Sequence, residues 1–500
     1  MKNILLKYGV FATFALMLAS CSEDYLNTEP TDAIATSSAF ATTKNAWATL
    51  NGIHRSLYMQ WSARGAYNMD QCGESSLMIS RDMLGEDLVM TGAGNGWYNN
   101  TYKWVDHRNE NSRLTYFAWY VYYRIIGNAN MIIANIDKAE GPVADKKAIK
   151  GQAYTYRAWA HFNLVQLYGK RYNAATAATD KGVPIMTTND FDGKPRASVA
   201  EVYAQINKDL DSAMFNLQGY TRPNKSHLNL NVAQGIKARV ALTMGNWTDA
   251  ETFARAARQG FTLMNQTQYT SGFNDYTNPE WMWGSMVIPD QTTYFYSFFA
   301  FMSWNFSSTN IRTNPKAIYA PLYNQIPATD IRKTLWEPNP TAANFPLPHS
   351  GVRRPYMTRK FTAAGSADSR GDIPYMRAAE MYLIEAEAIA RQGGRDAEAA
   401  EVLRQMVVTR DPAYTLSSNT GQALIDEIMF QRRIELWGEG FRFLDLKRTN
   451  SPLARDLSGS NHQVALATLM NEPAGTDKWQ FLIPIDEINA NPQLKNDQNP

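Results

Sequence analysis

This chain encodes a mostly α-helical fold, a scaffold of helical hairpins carrying long irregular insertions and few short strands, and three features predict it. Apolar residues recur at helical spacing along most of the length, period-two alternation is confined to two short runs, and one helix-pair pattern occurs twice. Residues 233–258 read AQGIKARVALTMGNWTDAETFARAAR and residues 379–404 read AEMYLIEAEAIARQGGRDAEAAEVLR. Each puts small alanines where two helices must approach closely, a glycine-containing turn between them, and an Asp-Ala-Glu at the start of the second helix. That is the pattern of a tetratricopeptide-like hairpin, a unit that buries its apolar face by stacking on its neighbours.

In chain order, the first element is a targeting segment. Lys2 and Lys7 precede a mostly apolar run from Phe11 to Leu18, which reads as a secretory signal peptide over residues 1–20. The run is too short for a permanent membrane helix, which needs about 20 apolar residues. Leu18-Ala19-Ser20-Cys21 resembles the bacterial lipobox, making Cys21 the lipidated N-terminus of the mature chain. Acyl chains contribute about 0.8 kcal/mol per buried CH₂, and stable anchoring takes more than one of them. Ser22-Glu23-Asp24 resembles the acidic export signal of surface-exposed Bacteroidetes lipoproteins, so the expected location is the outer membrane, facing outward.

Residues 21–500 read as a single helical domain. An irregular tract at about 60–112 precedes two long helices, 115–138 and 144–168, both rich in apolar and aromatic residues. A helix over 199–217 is opened by Ser198, with Glu201 three residues on completing a capping box. The first hairpin follows as 232–244 and 248–259, then a second irregular tract at about 261–375, then helices at 378–391, 395–409 and 424–433. A third irregular tract covers about 450–500, and strands are expected at 286–288 and 481–483. Irregular tracts this long are usually functional.

Composition narrows the function. Without the two lysines of residues 1–20, 47 basic residues face 47 acidic ones, so no basic field for nucleic acid exists. With 44% hydrophobic residues the chain can bury a large core, and beyond Cys21 only Cys72 remains, so no intramolecular disulfide contributes. No later segment has the length and apolarity of a membrane span, which predicts a soluble body on a tether. The sequence carries no HExxH, GxxxxGK[ST], GxSxG or CxxC motif and no calcium-loop DxDxDG spacing. The six histidines are scattered, so no catalytic residue, metal site or cofactor is expected.

The aromatics of the insertions are the candidate binding groups. Between Trp281 and Phe306 lie ten aromatics in 26 positions, where the chain average of 12% gives about three. A second cluster, GNGWYNNTYKW, holds Trp97, Tyr98 and Asn99, with Gly92 to Gly96 before it read as a flexible presenting loop. Flat rings beside amides and hydroxyls suit sugars, whose C–H faces stack and whose hydroxyls hydrogen-bond. The expected ligand-binding set is Trp97, Tyr98, Asn99, Trp283, Tyr294, Tyr296 and Trp304. By contrast YFAWYVYY at 116–123 sits on a long helix and is expected in the core.

Several blocks together resemble one family, the SusD/RagB-like outer-membrane lipoproteins. They are the lipobox with DYLNTEP, GQAYTYRAWAHFNLVQLYG at 151–169, YMRAAEMYLIEAEA at 375–388, RRIELWGEGFRFLDLKR at 432–448 and the closing LIPIDEINANPQLKNDQNP. The resemblance implies a helical scaffold whose insertions build the ligand site, a carbohydrate ligand, and a partner, a SusC-like TonB-dependent transporter over which the protein acts as a lid. A peptide-binding lid of the same kind and a surface glycosidase are the alternative functions. The block at 432–448 reads by itself as structural, its charges forming partly buried ion pairs around a turn at Gly438 and Gly440.

Overall fold

Helices dominate and pack largely in the order in which they occur. The computed structural model describes residues 36–190 and 192–500, so the signal segment and Cys21 lie outside the described residues. The main helices are α1 (Thr43–Ser56), α2 (Gly73–Met83), α3 (Arg113–Asn135), α4 (Val143–Tyr168), α5 (Val199–Asn216), α6 (Leu230–Met244) and α7 (Trp247–Ala257). After the second insertion come α8 (Ala378–Gln392), α9 (Asp396–Val407), α10 (Gly421–Glu435) and α11 (Arg442–Thr449). Each of α3 to α7 packs on the next, α7 then packs on α8, and α8 on α9 and α10. The chain thus leaves the stack after Ala257 and resumes it at Ala378. The two sequence-related hairpins, α6–α7 and α8–α9, are consecutive members of one array.

Local chemistry explains the boundaries. Ser198 Oγ accepts from the Glu201 amide at 3.2 Å while the Glu201 carboxylate accepts from the Ser198 amide at 2.8 Å, the expected capping box opening α5. Gly245, with φ 72°, ends α6 in the left-handed conformation that turns the chain into α7. Ion pairs then fix the register between hairpins: Arg239 to Glu380 at 2.6 Å, Arg255 and Arg258 to Glu385 at 2.8 and 2.6 Å, and Arg395 to Glu251 at 2.7 Å. Glu380 and Glu385 are buried, so any slip that unpaired them would strand a buried charge.

Three expectations need correction. The tract 60–112 holds α2, all eleven of whose residues are buried. Its polar residues Glu74, Ser75, Ser76, Ser80, Arg81 and Asp82 are buried with the apolar ones, so a run that reads as a polar loop lies inside the protein. Neither 286–288 nor 481–483 is a strand; Phe481 and Leu482 donate singly to the Leu167 and His107 carbonyls rather than into a ladder. The strands that matter are β1 (Leu88–Met90), β2 (Trp281–Gly284), β3 (Lys316–Ile318), β4 (Trp336–Glu337), β5 (Met357–Thr358) and β6 (Pro374–Arg377). An antiparallel sheet in the order β1-β3-β5-β4 sews the first irregular tract to the second. β2 pairs antiparallel with β6, Trp281 opposite Arg377, and so closes the neck of the second insertion.

The junction between insertion and scaffold is a buried charge network. Arg377 pairs with Glu280 at 2.5 Å, Glu435 at 2.9 Å and Glu439 at 2.7 Å. Arg410 pairs with Glu280 and Glu435 at 2.6 and 3.0 Å, Arg332 with Asp330 and Glu435 at 2.6 and 3.2 Å, and Lys360 with Glu439 at 2.7 Å. Four cations thus meet four carboxylates, all essentially without solvent contact. Burial pushes Glu435 and Glu439 up, but the surrounding arginines win and hold both below the usual carboxylate range. The block 432–448 is therefore structural, and its ion pairs are more deeply buried than its sequence suggests.

Candidate functional site

The sheet brings the two aromatic-rich tracts into contact. Where β1 ends, the Asn314 side-chain oxygen accepts from the Thr91 and Gly92 amides at 3.0 and 3.2 Å, and Thr91 Oγ1 donates to the Pro315 carbonyl at 2.7 Å. Gly92 lies so close to the chain leading into β3 that a Cβ there would sit 2.4 Å from the Thr313 carbonyl oxygen. The glycine-rich loop is therefore pinned at its start, in contrast to the flexible loop expected. It delivers Tyr98 in a left-handed conformation, φ 63°, with its ring edge-on to Phe301 at 5.1 Å. Tyr294 is also left-handed, φ 45°. Each such residue costs about 1–2 kcal/mol of backbone strain, a cost that the surrounding structure must offset.

The predicted residues divide by exposure. Tyr294 is 62% exposed, and its neighbour Phe295, 46% exposed, leans on Phe306 at 5.8 Å. Trp97, Tyr296 and Trp304 are half-buried. The Trp97 ring lies under the Arg113 guanidinium at 5.2 Å, and Arg113 is itself held by Asp70 at 3.1 Å. Trp304 donates its indole N–H to Thr362 Oγ1 at 3.0 Å and meets Phe345 edge-on at 5.8 Å. Asn99 is half-buried, and its side-chain oxygen has no partner among the described residues.

Trp283 is a correction to the expected set. It lies on β2 with 1% exposure, enclosed by Trp159 at 5.5 Å, Tyr156 at 6.1 Å and Tyr375 at 5.1 Å. It is a core residue because the neck strand carries it inward over α4. Tyr98, 4% exposed, likewise forms floor rather than surface, and burial raises its hydroxyl well above the usual range.

Other residues were missed. Tyr116 and Tyr120 stack at 5.6 Å with planes 13° apart, Arg64 covers Tyr116 at 4.5 Å, and Trp61 meets Tyr120 edge-on at 5.6 Å. All three rings are half-buried, a strip along the outer side of α3 rather than core. Their i, i+4 spacing was the available signal. A small cavity of about 20 Å³ lies within the aromatic run beside Thr293, Ser297 and Phe298, and two others reach the scaffold, the first of them touching Trp283. One of about 60 Å³ runs among scaffold helices beside Arg81, Asn163, Arg432 and Asp445, and a polar hollow of about 420 Å³ lies beside Lys170, Asn173, Asn450 and Thr476.

Comparison with known proteins agrees with this architecture. Residues 39–242 match a family described as starch-binding associating with outer membrane, and residues 164–500 match the SusD family. SusD-like protein P38 of Formosa agariphila is 27% identical over 403 residues, 68% of this chain and 73% of that protein. SusD-like protein P2 of the same organism is 24% identical over 91% of this chain and 92% of its own length. A SusD-like carbohydrate binding protein from Bacteroides vulgatus superposes with a TM-score of 0.78 at 25% identity, covering 91% of this chain and 97% of the other. The second family match alone spans most of the chain, and on it this protein belongs to the SusD family.

Proposed function

We propose that this protein is a cell-surface glycan-binding lipoprotein that captures oligosaccharides and delivers them to a SusC-like TonB-dependent outer-membrane transporter. The observation that carries the reading is the contact of the two aromatic loops, Tyr98 against Phe301, on the tracts that also carry partly exposed Trp97, Tyr294, Tyr296 and Trp304. Preorganised rings would stack on pyranose faces without ordering cost at binding, while Asn99 and neighbouring hydroxyls accept and donate to the sugar. Several partly exposed rings suit a ligand held by multiple modest contacts, which must later be released. The family descriptions and the carbohydrate-binding relative support the same ligand class.

The proposed action is binding and hand-over, not bond cleavage. The two carboxyls held closest to neutrality, Asp82 at about 7 and Asp372 at about 6, owe this to burial. Both are engaged by backbone amides: Gly440 on Asp82, and Val287 and Tyr276 on Asp372. Cys21 would tether the protein through its lipid, and the helical stack would provide a rigid face for the transporter. The test is calorimetry against a glycan panel. Trp304→Ala and Tyr294→Ala are each expected to weaken oligosaccharide binding about tenfold with the fold intact. Unchanged affinity in both variants, or binding of peptides in place of glycans, refutes the assignment.

A further inference from the structure

The segment around Trp304 carries a charge that the rest of the chain does not share. Residues 304–362 hold eight basic residues and two acidic ones, in a chain that carries +2 overall. Three of the eight are buried and accounted for: Arg332 and Lys360 in the junction network, and Lys316, whose ammonium donates to the Asn314 carbonyl at 2.7 Å.

Of the other five, Lys333 donates to the Ile326 carbonyl and lies over Tyr323, whereas Arg312, Arg353 and Arg359 are tied to the loop beside the tryptophan. His349 Nε2 lies 3.1 Å from the Trp304 carbonyl, to which its N–H donates, and His349 Nδ1 has no partner among the described residues. Arg353 donates to the Phe345 carbonyl at 2.9 Å, and the Arg359 guanidinium lies 4.2 Å over the Phe345 ring, the same ring that Trp304 meets. Arg312 receives the Val352 amide on its carbonyl at 2.8 Å, which ties it to the same loop, and its buried Nε has no partner.

Among the described residues no carboxylate comes within 4.0 Å of Arg312, Arg353, Arg354 or Arg359; Glu337 reaches Arg359 only through its field. Elsewhere some arginines are heavily paired, Arg377 alone contacting three glutamates, while others such as Arg222 and Arg455 are bonded to backbone carbonyls; what sets this segment apart is that four carboxylate-free arginines lie within 48 residues. Half-buried guanidiniums bonded to carbonyls and rings keep spare N–H groups, and a planar N–H fork is suited to carboxylates and sulfates.

We propose that the site takes an anionic saccharide, a glycan bearing uronate carboxylates or sulfate esters, with Trp304 stacking on a sugar ring and Arg312, Arg353 and Arg359 receiving the acid groups. This rests on the glycan-binding reading above and narrows it.

The experiment uses matched probes on the full chain: dextran against dextran sulfate, polygalacturonate against its methyl ester, and poly-glutamate as an acidic peptide. Tighter binding of the charged member is expected in at least one saccharide pair, and which pair responds separates sulfate from carboxylate recognition. That affinity should fall as salt is raised toward 1 M, where the screening length is about 3 Å. Arg353→Gln with Arg359→Gln should weaken the charged saccharide about tenfold or more, while Lys147→Gln, an exposed site on α4, should not change it. Equal, salt-insensitive binding of both members of each pair, lost in Trp304→Ala, overturns the anionic assignment and leaves glycan binding standing. Poly-glutamate binding without any saccharide overturns both. Should the arginine variants fail to fold, the salt response of the unaltered chain still decides.

Discussion

Trp283 and Trp304 come from one aromatic-rich run, yet they have opposite surroundings: Trp283 is enclosed by three aromatic rings on β2, and Trp304 is half-exposed above Phe345. Substituting the first should therefore act on stability and substituting the second on binding. Trp283→Ala is expected to cost about 3–5 kcal/mol, through lost burial and a cavity between α4 and the neck strands. Its denaturant midpoint should drop while any folded fraction still binds glycan. Trp304→Ala should leave the midpoint almost unchanged and lose affinity. A Trp283→Ala protein as stable as the original would show that this side chain is not the packing centre described. The letters could not separate the two tryptophans, because inside a long insertion the direction of a side chain is set by which strand pairs with which. At Tyr116 and Tyr120 the spacing did contain the answer, and the length of α3 concealed it.

Between residue and molecule, what was legible depended on how locally each element is determined. The capping box of α5 and the alanines and Asp-Ala-Glu starts of both hairpins act within a few residues, and they appear as written. α2 is held from outside by the α11 helix that packs on it and by the Gly440 carbonyl, which accepts from Arg81, while the Arg81–Glu74 pair lies within the helix; its many buried polar residues made it read as irregular. The strands of the β1-β3-β5-β4 sheet are two or three residues long, and β1 pairs with β3 across more than two hundred positions, beyond any local pattern. The loop from Thr91 depends on the same long-range contact. Asn314→Ala would strip the acceptor from two buried or half-buried amides, at a cost of about 1–3 kcal/mol for each amide left unsatisfied. Hydrogen exchange over residues 91–97 should quicken while α4 stays protected, and glycan affinity should fall because the loop carrying the rings loosens. Unchanged exchange in that loop would mean that Gly92 and β1 hold it without the asparagine.

At the scale of the whole molecule, buried titratable groups make stability depend on pH. Burial holds His107, His161 and His462 down at about 3 and His227 at about 4, with His54 also well below the usual histidine range. Their bonds fit the neutral form: His161 accepts the Met186 amide on Nε2 at 3.2 Å, and His462 Nε2 donates to the Glu86 carbonyl at 2.8 Å. In the unfolded chain these rings take protons near pH 6.5, so between about 6.5 and 4 the unfolded state binds protons that the folded state refuses. Stability contributed by these rings is present above pH 6.5 and is lost as pH falls. Asp82 and Asp372, pushed up by burial to about 7 and about 6, act in the opposite sense, since folded they hold protons that the unfolded chain has released. His349 is lowered by burial as well, and Asp70, Asp106 and Asp209 are raised by it, but the depressed histidines, several of them held at about 3, leave the histidines in control. The melting temperature should therefore decline steadily from pH 6.5 to 4. Below pH 4 the loss should continue through Asp445, which Arg432 and Arg448 hold at about 2 against the upward push of burial. His161→Gln, which keeps an acceptor for Met186 but cannot take a proton, should flatten the upper part of that decline by about one proton's worth of slope. A melting temperature level from pH 7 to 4 would mean that the histidines are hydrated in the folded state, and the close packing of α3, α4 and the C-terminal segment around them would have to be looser than described.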